Sequence, residues 1–140
     1  VSGSETQCGL MKEFPGWLVE VKDVSGGTGW HAWRPASPGR GGFFGAQADE
    51  LGLLRELLDE ADGADARLAL RDLAVELREC GITATAYDTT LTATGPGGRT
   101  RLVTCRRGLF RWLGGGRVIG PVGDPLVTVD AILAAFEERP

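Results

Sequence analysis

The stretch TCRRGLFRWLGGGRVIGP, residues 104–121, decides the fold. It holds four arginines, a phenylalanine and a tryptophan, and no acid. Apolar and polar residues alternate on both sides of Arg107-Gly108, the pattern of two half-buried antiparallel strands joined by a tight turn. Placing RTRLVTCR and LFRWL as neighbours about that turn sets Val103, Cys105, Phe110 and Trp112 on one face. Leu102, Thr104, Arg106, Leu109, Arg111 and Leu113 share the other. The first set is shaped to pack on helices. The second makes a basic face with aliphatic patches.

Working outward, ITATAYD and TLTATG precede this pair and are rich in Thr and other β-formers. DT, PGG, RG and GGG separate the runs and are turn signals. The expectation is an antiparallel meander of three or four strands, with RVIG continuing the last pairing. PVGDP then leads into a final helix, with Asp124 as its cap and Pro125 in its first turn. Leu126, Val129, Ile132, Leu133 and Phe136 form its apolar stripe.

Upstream of the meander the period is helical. Residues 47–61 read as one helix, with Leu51, Leu54, Leu58 and Ala61 on one face. DGAD (62–65) reads as a break, Gly63 ending that helix and Asp65 capping the next. Residues 66–80 carry the stripe Ala66, Leu70, Leu73, Leu77 and Cys80, and Gly81 stops it. Further upstream, WLVEVKD alternates Trp17, Val19 and Val21 against Leu18, Glu20 and Lys22. GWHAWRP is its hairpin partner, and GFFGA is a short third strand. Residues 1–13 are polar and aperiodic and read as a flexible tail.

The expected class is therefore α+β, an antiparallel sheet with helices packed on one face. An N-terminal β-hairpin plus helix module covers 14–61. An α-ββββ-α module covers 65–140. Whether the two share one core stays open in the sequence.

The 140 residues carry 42% hydrophobic and 24% charged residues, within the globular range. No apolar run reaches the length of a membrane span. The opening residues have no charged-then-apolar layout, so a cytoplasmic protein is expected. Thirteen arginines against two lysines, with no Asn, suggest a high-GC genome, so the arginine excess alone does not argue for phosphate contacts. Net charge is −4 but uneven. Residues 47–80 hold ten acids and four arginines, whereas 99–117 hold six arginines and no acid. Opposed segments of this kind attract within a fold or between chains.

The glycine clusters lack the GxxxxGK[ST] register of a phosphate loop. Gly95 and Gly97 are followed by Thr100 where the dinucleotide fingerprint needs glycine. They read as turns. His31, the single histidine, lies between Trp30 and Trp33 on a strand, without an identifiable acid or nucleophile partner. The three cysteines include no CxxC pair, which argues against zinc and for reduced thiols. Cys105 has arginine neighbours that favour a thiolate, yet its phase turns it inward as a structural residue. The acids of 49–79 follow the solvent faces of helices. No catalytic residue, metal ligand or cofactor is assigned, and a non-enzymatic protein is expected.

FPGWLVEV, ELGLLRELL and above all CRRGLFRWLGGGRVIGP followed by an amphipathic helix carry a resemblance. The chain is similar to small uncharacterised actinobacterial, Streptomyces-like proteins, several encoded beside helix-turn-helix regulators and their small partners. The resemblance brings no activity. It implies a bacterial, accessory, regulatory context.

Three functions follow as expectations. The first is an accessory module acting through contacts with a partner protein or as a homodimer, with Arg106, Arg107, Arg111 and Arg117 as the patch and Trp30 and Trp33 as aromatic anchors. The second is nucleic-acid binding by the same arginine-rich sheet face. The third is a small-ligand or enzymatic pocket near Trp17, Trp30 and His31.

Overall fold

A computed structural model describes residues 3–24, 27–34 and 45–137. The chain is α+β and divides into two compact units, Val1–Ala64 and Asp65–Pro140. Among the described residues no helix is long and apolar enough to cross a membrane.

In the first unit, α1 (Gly3–Glu13) precedes a three-stranded antiparallel sheet in the order β1 (Leu18–Val24), β2 (Gly27–Trp33), β3 (Gly45–Ala48). The flexible tail expected over 1–13 is not what forms at Gly3–Glu13. Instead, Leu10 is buried in α1, and Phe14 is buried just after it. Gln7, Leu10, Met11 and Phe14 follow helical spacing, a signal diluted by the small and polar residues between them. Gln7 Nε2 donates to the Val19 carbonyl at 3.1 Å. Arg55 also donates to the Glu13 carboxylate. The third strand, expected over 42–46, lies at Gly45–Ala48; residues 42–44 are outside the described residues.

Both helices expected over 47–61 and 66–80 are one helix, α2 (Leu51–Glu79). The break at DGAD does not occur. Glycine inside a helix costs only about 1 kcal/mol relative to alanine. Leu54, Leu58 and Ala61 are buried before the glycine, and Ala66, Ala69, Leu70, Leu73 and Leu77 are buried after it on a stripe turned by about a third of the helix circumference. Burial of each large side chain contributes roughly 1.5–3 kcal/mol, so the apolar residues buried on both sides outweigh the glycine. The first group joins the core of unit one with Trp17, Val19 and Ala32; the second joins the core of unit two.

α2 ends one residue before Cys80, which is exposed rather than part of the stripe. Gly81 (φ 84°) donates to Arg78 C=O, and Ile82 N–H donates to Leu77 C=O, both at 3.0 Å. This is the Schellman arrangement, with buried Ile82 and Leu77 in the same core.

The second unit holds a five-stranded antiparallel sheet, β4 (Thr83–Tyr87), β5 (Thr90–Thr94), β6 (Thr100–Arg106), β7 (Leu109–Trp112) and β8 (Val118–Pro121), paired in chain order. RVIG thus supplies a fifth strand. Helix α3 (Pro125–Glu137) starts at the expected proline. Its buried Val129, Ile132 and Phe136 join Leu70, Leu73 and Leu77 against Leu91, Val103, Cys105 and Phe110. Glycines set how closely α3 approaches. A Cβ on Gly120 would stand 2.6 Å from Thr128 Oγ1, and one on Gly95 2.6 Å from the Phe136 ring. Arg99 also donates to the Phe136 carbonyl.

Candidate protein-docking face

Each functional side chain is placed by strand register. Val103 lies opposite Trp112, Thr104 opposite Arg111, Cys105 opposite Phe110 and Arg106 opposite Leu109. Opposed residues point to the same side of a sheet and neighbours alternate. Val103, Cys105 and Phe110 are buried and Trp112 packs on their cluster, so that face carries the helices. Thr104, Arg106, Leu109 and Arg111 turn away from them. Arg107 and Gly108 form the turn between, with φ 53° and 76°, the positive pair that a two-residue hairpin requires.

The outward rows continue across the sheet. Tyr87, Thr90, Thr104, Arg111 and Val118 stand opposite one another from β4 to β8. Thr85, Thr92 and Leu102 make the next row. Leu113 N–H donates to the Leu102 carbonyl at 3.0 Å, which extends that row. The face therefore has two halves. One is a field of threonine hydroxyls. The other sets Arg106 and Arg111 among Leu102, Leu113 and Val118, which are 40%, 47% and 47% exposed.

Arg106 and Arg111 are diagonal neighbours on adjacent strands, about 7–8 Å apart at the backbone. Arg111 is half-buried and its Nη1 donates to Gly116 C=O at 3.0 Å, which fixes the guanidinium stem. Gly115 and Gly116 take positive φ in that loop. Its far side is closed by Trp112 N–H donating to Arg117 C=O at 2.9 Å. Arg117 follows on the loop, exposed, and Arg107 is half-buried in the turn. From Thr83 to Pro121 the single acid is Asp88. It sits in the β4–β5 turn, 3.5 Å from Arg67 Nη1. No carboxylate within the sheet offsets the two outward arginines. The field there is positive and favours an anionic partner.

The two tryptophans expected as anchors lie in the other unit, and the structure does not bring them to one face. Trp30 stands opposite Val21 and Ala48 and packs on the unit-one core. Trp33 stands opposite Leu18 on the reverse face, beside His31. The His31 and Trp33 rings stack at 5.1 Å between centroids. His31 Nδ1 is buried and has no hydrogen-bond partner among the described residues. Trp17 is buried in the core, with Arg34 4.5 Å over its ring. Trp17, Trp30 and His31 therefore do not line one pocket: the first two face the core and His31 faces away from it.

Tyr87 is a further residue of this face, beyond those expected from the sequence. It is 85% exposed and lies in the outward row with Arg111. The signal was present in ITATAYD: with Ala84 and Ala86 inward, the alternation puts Thr83, Thr85 and Tyr87 outside.

Among the described residues, no three of His, Cys, Asp and Glu gather to hold a metal ion. Compared with known proteins, the chain matches no protein-family profile, no curated protein and no solved structure.

Proposed function

We propose that the chain is a non-enzymatic accessory module, acting in the cytoplasm of an actinobacterium, that docks an acidic protein surface on the open face of its five-stranded sheet. One observation carries the reading. Both helices of the second unit lie on one face of that sheet, and the other face presents Arg106 and Arg111 among exposed aliphatic side chains. A face of this kind supplies the two elements of a specific contact, apolar area to bury and charge to orient. Arg107 and Arg117 flank it and extend the positive field. The regulatory setting is part of the proposal and rests on the resemblance carried by CRRGLFRWLGGGRVIGP alone.

Tyr87 favours a second reading, single-stranded nucleic acid on the same face. An exposed aromatic ring gives a base something to stack on, and nearby arginines bind phosphates. Only one such ring lies on the face. The threonine field between Tyr87 and Arg111 offers no further stacking surface, so the protein reading is preferred.

Affinity capture from an actinobacterial lysate, with and without nuclease and over a salt series, separates the two. The docking reading expects a protein that stays bound after nuclease treatment. A nucleic acid in the eluate, lost with nuclease and with affinity falling steeply in salt, would replace it with the second reading.

A further inference from the structure

The five-stranded sheet has two edges, and they are not alike. β8 carries Gly120 and Pro121, and its pairing with β7 slips between Phe110 and Arg111. Irregularity of that sort discourages strand addition. β4, on the other edge, is regular. Thr83–Tyr87 has no proline, no charge and no bulge, and it pairs residue for residue with β5.

The Asp88-Thr89 turn joins Tyr87 to Thr90, so Tyr87, Thr85 and Thr83 spend their backbone groups on β5. In an antiparallel ladder the alternate residues point theirs the other way. Ala84 and Ala86 thus present N–H and C=O to the open edge. One of these groups is occupied: Arg78, in the last turn of α2, donates its Nε to the Ala84 carbonyl at 2.7 Å. The outward groups of Ala86 keep the spacing that an added strand needs.

We propose that β4 is a self-pairing edge, restrained by Arg78, through which a second copy of this chain adds its own β4 antiparallel. The register argues for a second copy. Centred on Thr85, the strand is complementary to itself: Thr85 meets Thr85, Ala84 meets Ala86 and Thr83 meets Tyr87. No like charges are opposed, and the last pair sets an aromatic ring against a β-branched residue, a favourable cross-strand combination. The Ala84–Ala86 pairs exchange the outward N–H and C=O groups. Arg78 competes for the Ala84 carbonyl, which makes the pairing weak until that side chain yields. Opposed residues point to the same side, so the ten-stranded sheet would carry both docking faces on one surface. The proposal does not depend on the docking reading, because the Arg106 and Arg111 side chains take no part in the β4 contact.

Sedimentation velocity on the full chain tests it, with thermal melting to check folding. Arg78→Ala is expected to raise the self-association constant by roughly a hundredfold, about tenfold for each of the two hydrogen bonds to a charged group, one per copy, that pairing displaces. Adding Thr85→Lys, which sets two lysines face to face at the centre, is expected to return the protein to monomer. Hydrogen exchange at the Ala86 amide is expected to slow as concentration rises. Arg78→Gln serves as the second variant if Arg78→Ala fails to fold. A folded variant lacking Arg78 that associates no better than the parent overturns the proposal. So does a dimer that survives Thr85→Lys, or an Ala86 amide whose exchange ignores concentration. Arg106→Glu/Arg111→Glu is expected to leave the dimer intact, which keeps a failure here distinct from a failure of the docking reading.

Discussion

Thr104 lies directly opposite Arg111 in the β6–β7 ladder, and both side chains point away from the helices. Thr104 Oγ1 donates back to the Thr89 carbonyl at 2.9 Å, while Arg111 Nη1 donates to Gly116 C=O. Each side chain is tied at the sheet surface rather than swinging free. A pre-ordered arginine loses less entropy when a carboxylate arrives, which is the physical basis for giving this face a recognition role.

The same register predicts thiol reactivity. Cys105 shares the inward row with Phe110 and is buried, whereas Cys8 and Cys80 are exposed. A thiol reagent is expected to modify two cysteines quickly in the native protein and the third only on unfolding. Mass spectrometry of the labelled peptides reads this directly. Rapid native labelling at Cys105 would contradict the inward face assigned to β6.

Helix α3 depends on the absence of a side chain at residue 120. Gly120→Ala would force a Cβ to within 2.6 Å of Thr128 Oγ1 and 3.3 Å of Val127 Cγ1. The expected loss is about 1–3 kcal/mol, the usual cost of overpacking. Thr128 is fully buried and its hydroxyl has no hydrogen-bond partner among the described residues. Thr128→Ala should therefore recover part of the loss in the Gly120→Ala background, by making room. A double-mutant cycle in urea measures this coupling. Additive effects would mean that the two residues do not meet.

Two glycines of α2 and its end should respond in opposite directions. Gly52 lies in the first turn with open space where its Cβ would stand, so Gly52→Ala is expected to stabilise by about 0.5–1 kcal/mol. Gly81 sits at φ 84° just beyond the helix, and Gly81→Ala is expected to destabilise by about 1 kcal/mol. Thermal melts of both variants check the pair. A shift of the same sign in both would count against the helix end described above.

The strands were legible because a period of two leaves little choice once the turns are known. Ala84, Leu91, Ala93, Val103 and Phe110 all fall on the face that the alternation implies. The β6–β7 hairpin could be registered from Arg107-Gly108 alone. Helices were less legible where one signal contradicted another. Gly63 next to Asp65 resembles a stop followed by a cap, and the buried stripe changes phase there, yet a mid-helix glycine is cheap and α2 continues through. In α1, Leu10 and Met11 are too few, among small and polar residues, to reveal a helix that is read only once Phe14 and its sheet are in place.

The candidate face was legible by half. Alternation separated Arg106 and Arg111 from Phe110 and Trp112. It did not direct attention to Tyr87, because a lone tyrosine at a strand end looks like any β-former. Trp30 and Trp33 looked like a pair by composition. An odd separation along a strand sends them to opposite faces, which a strict count from Ala32 would have shown.

The most direct test of the docking face compares capture by the parent chain with capture by Arg106→Glu/Arg111→Glu, in nuclease-treated actinobacterial lysate at fixed salt. Arg67→Glu/Arg71→Glu, an equal change of charge on exposed residues of α2, serves as the control. The docking account predicts that the sheet variant melts like the parent but loses its captured protein, while the helix variant retains it. Equal capture by the parent and the sheet variant, with both folded, would contradict the account.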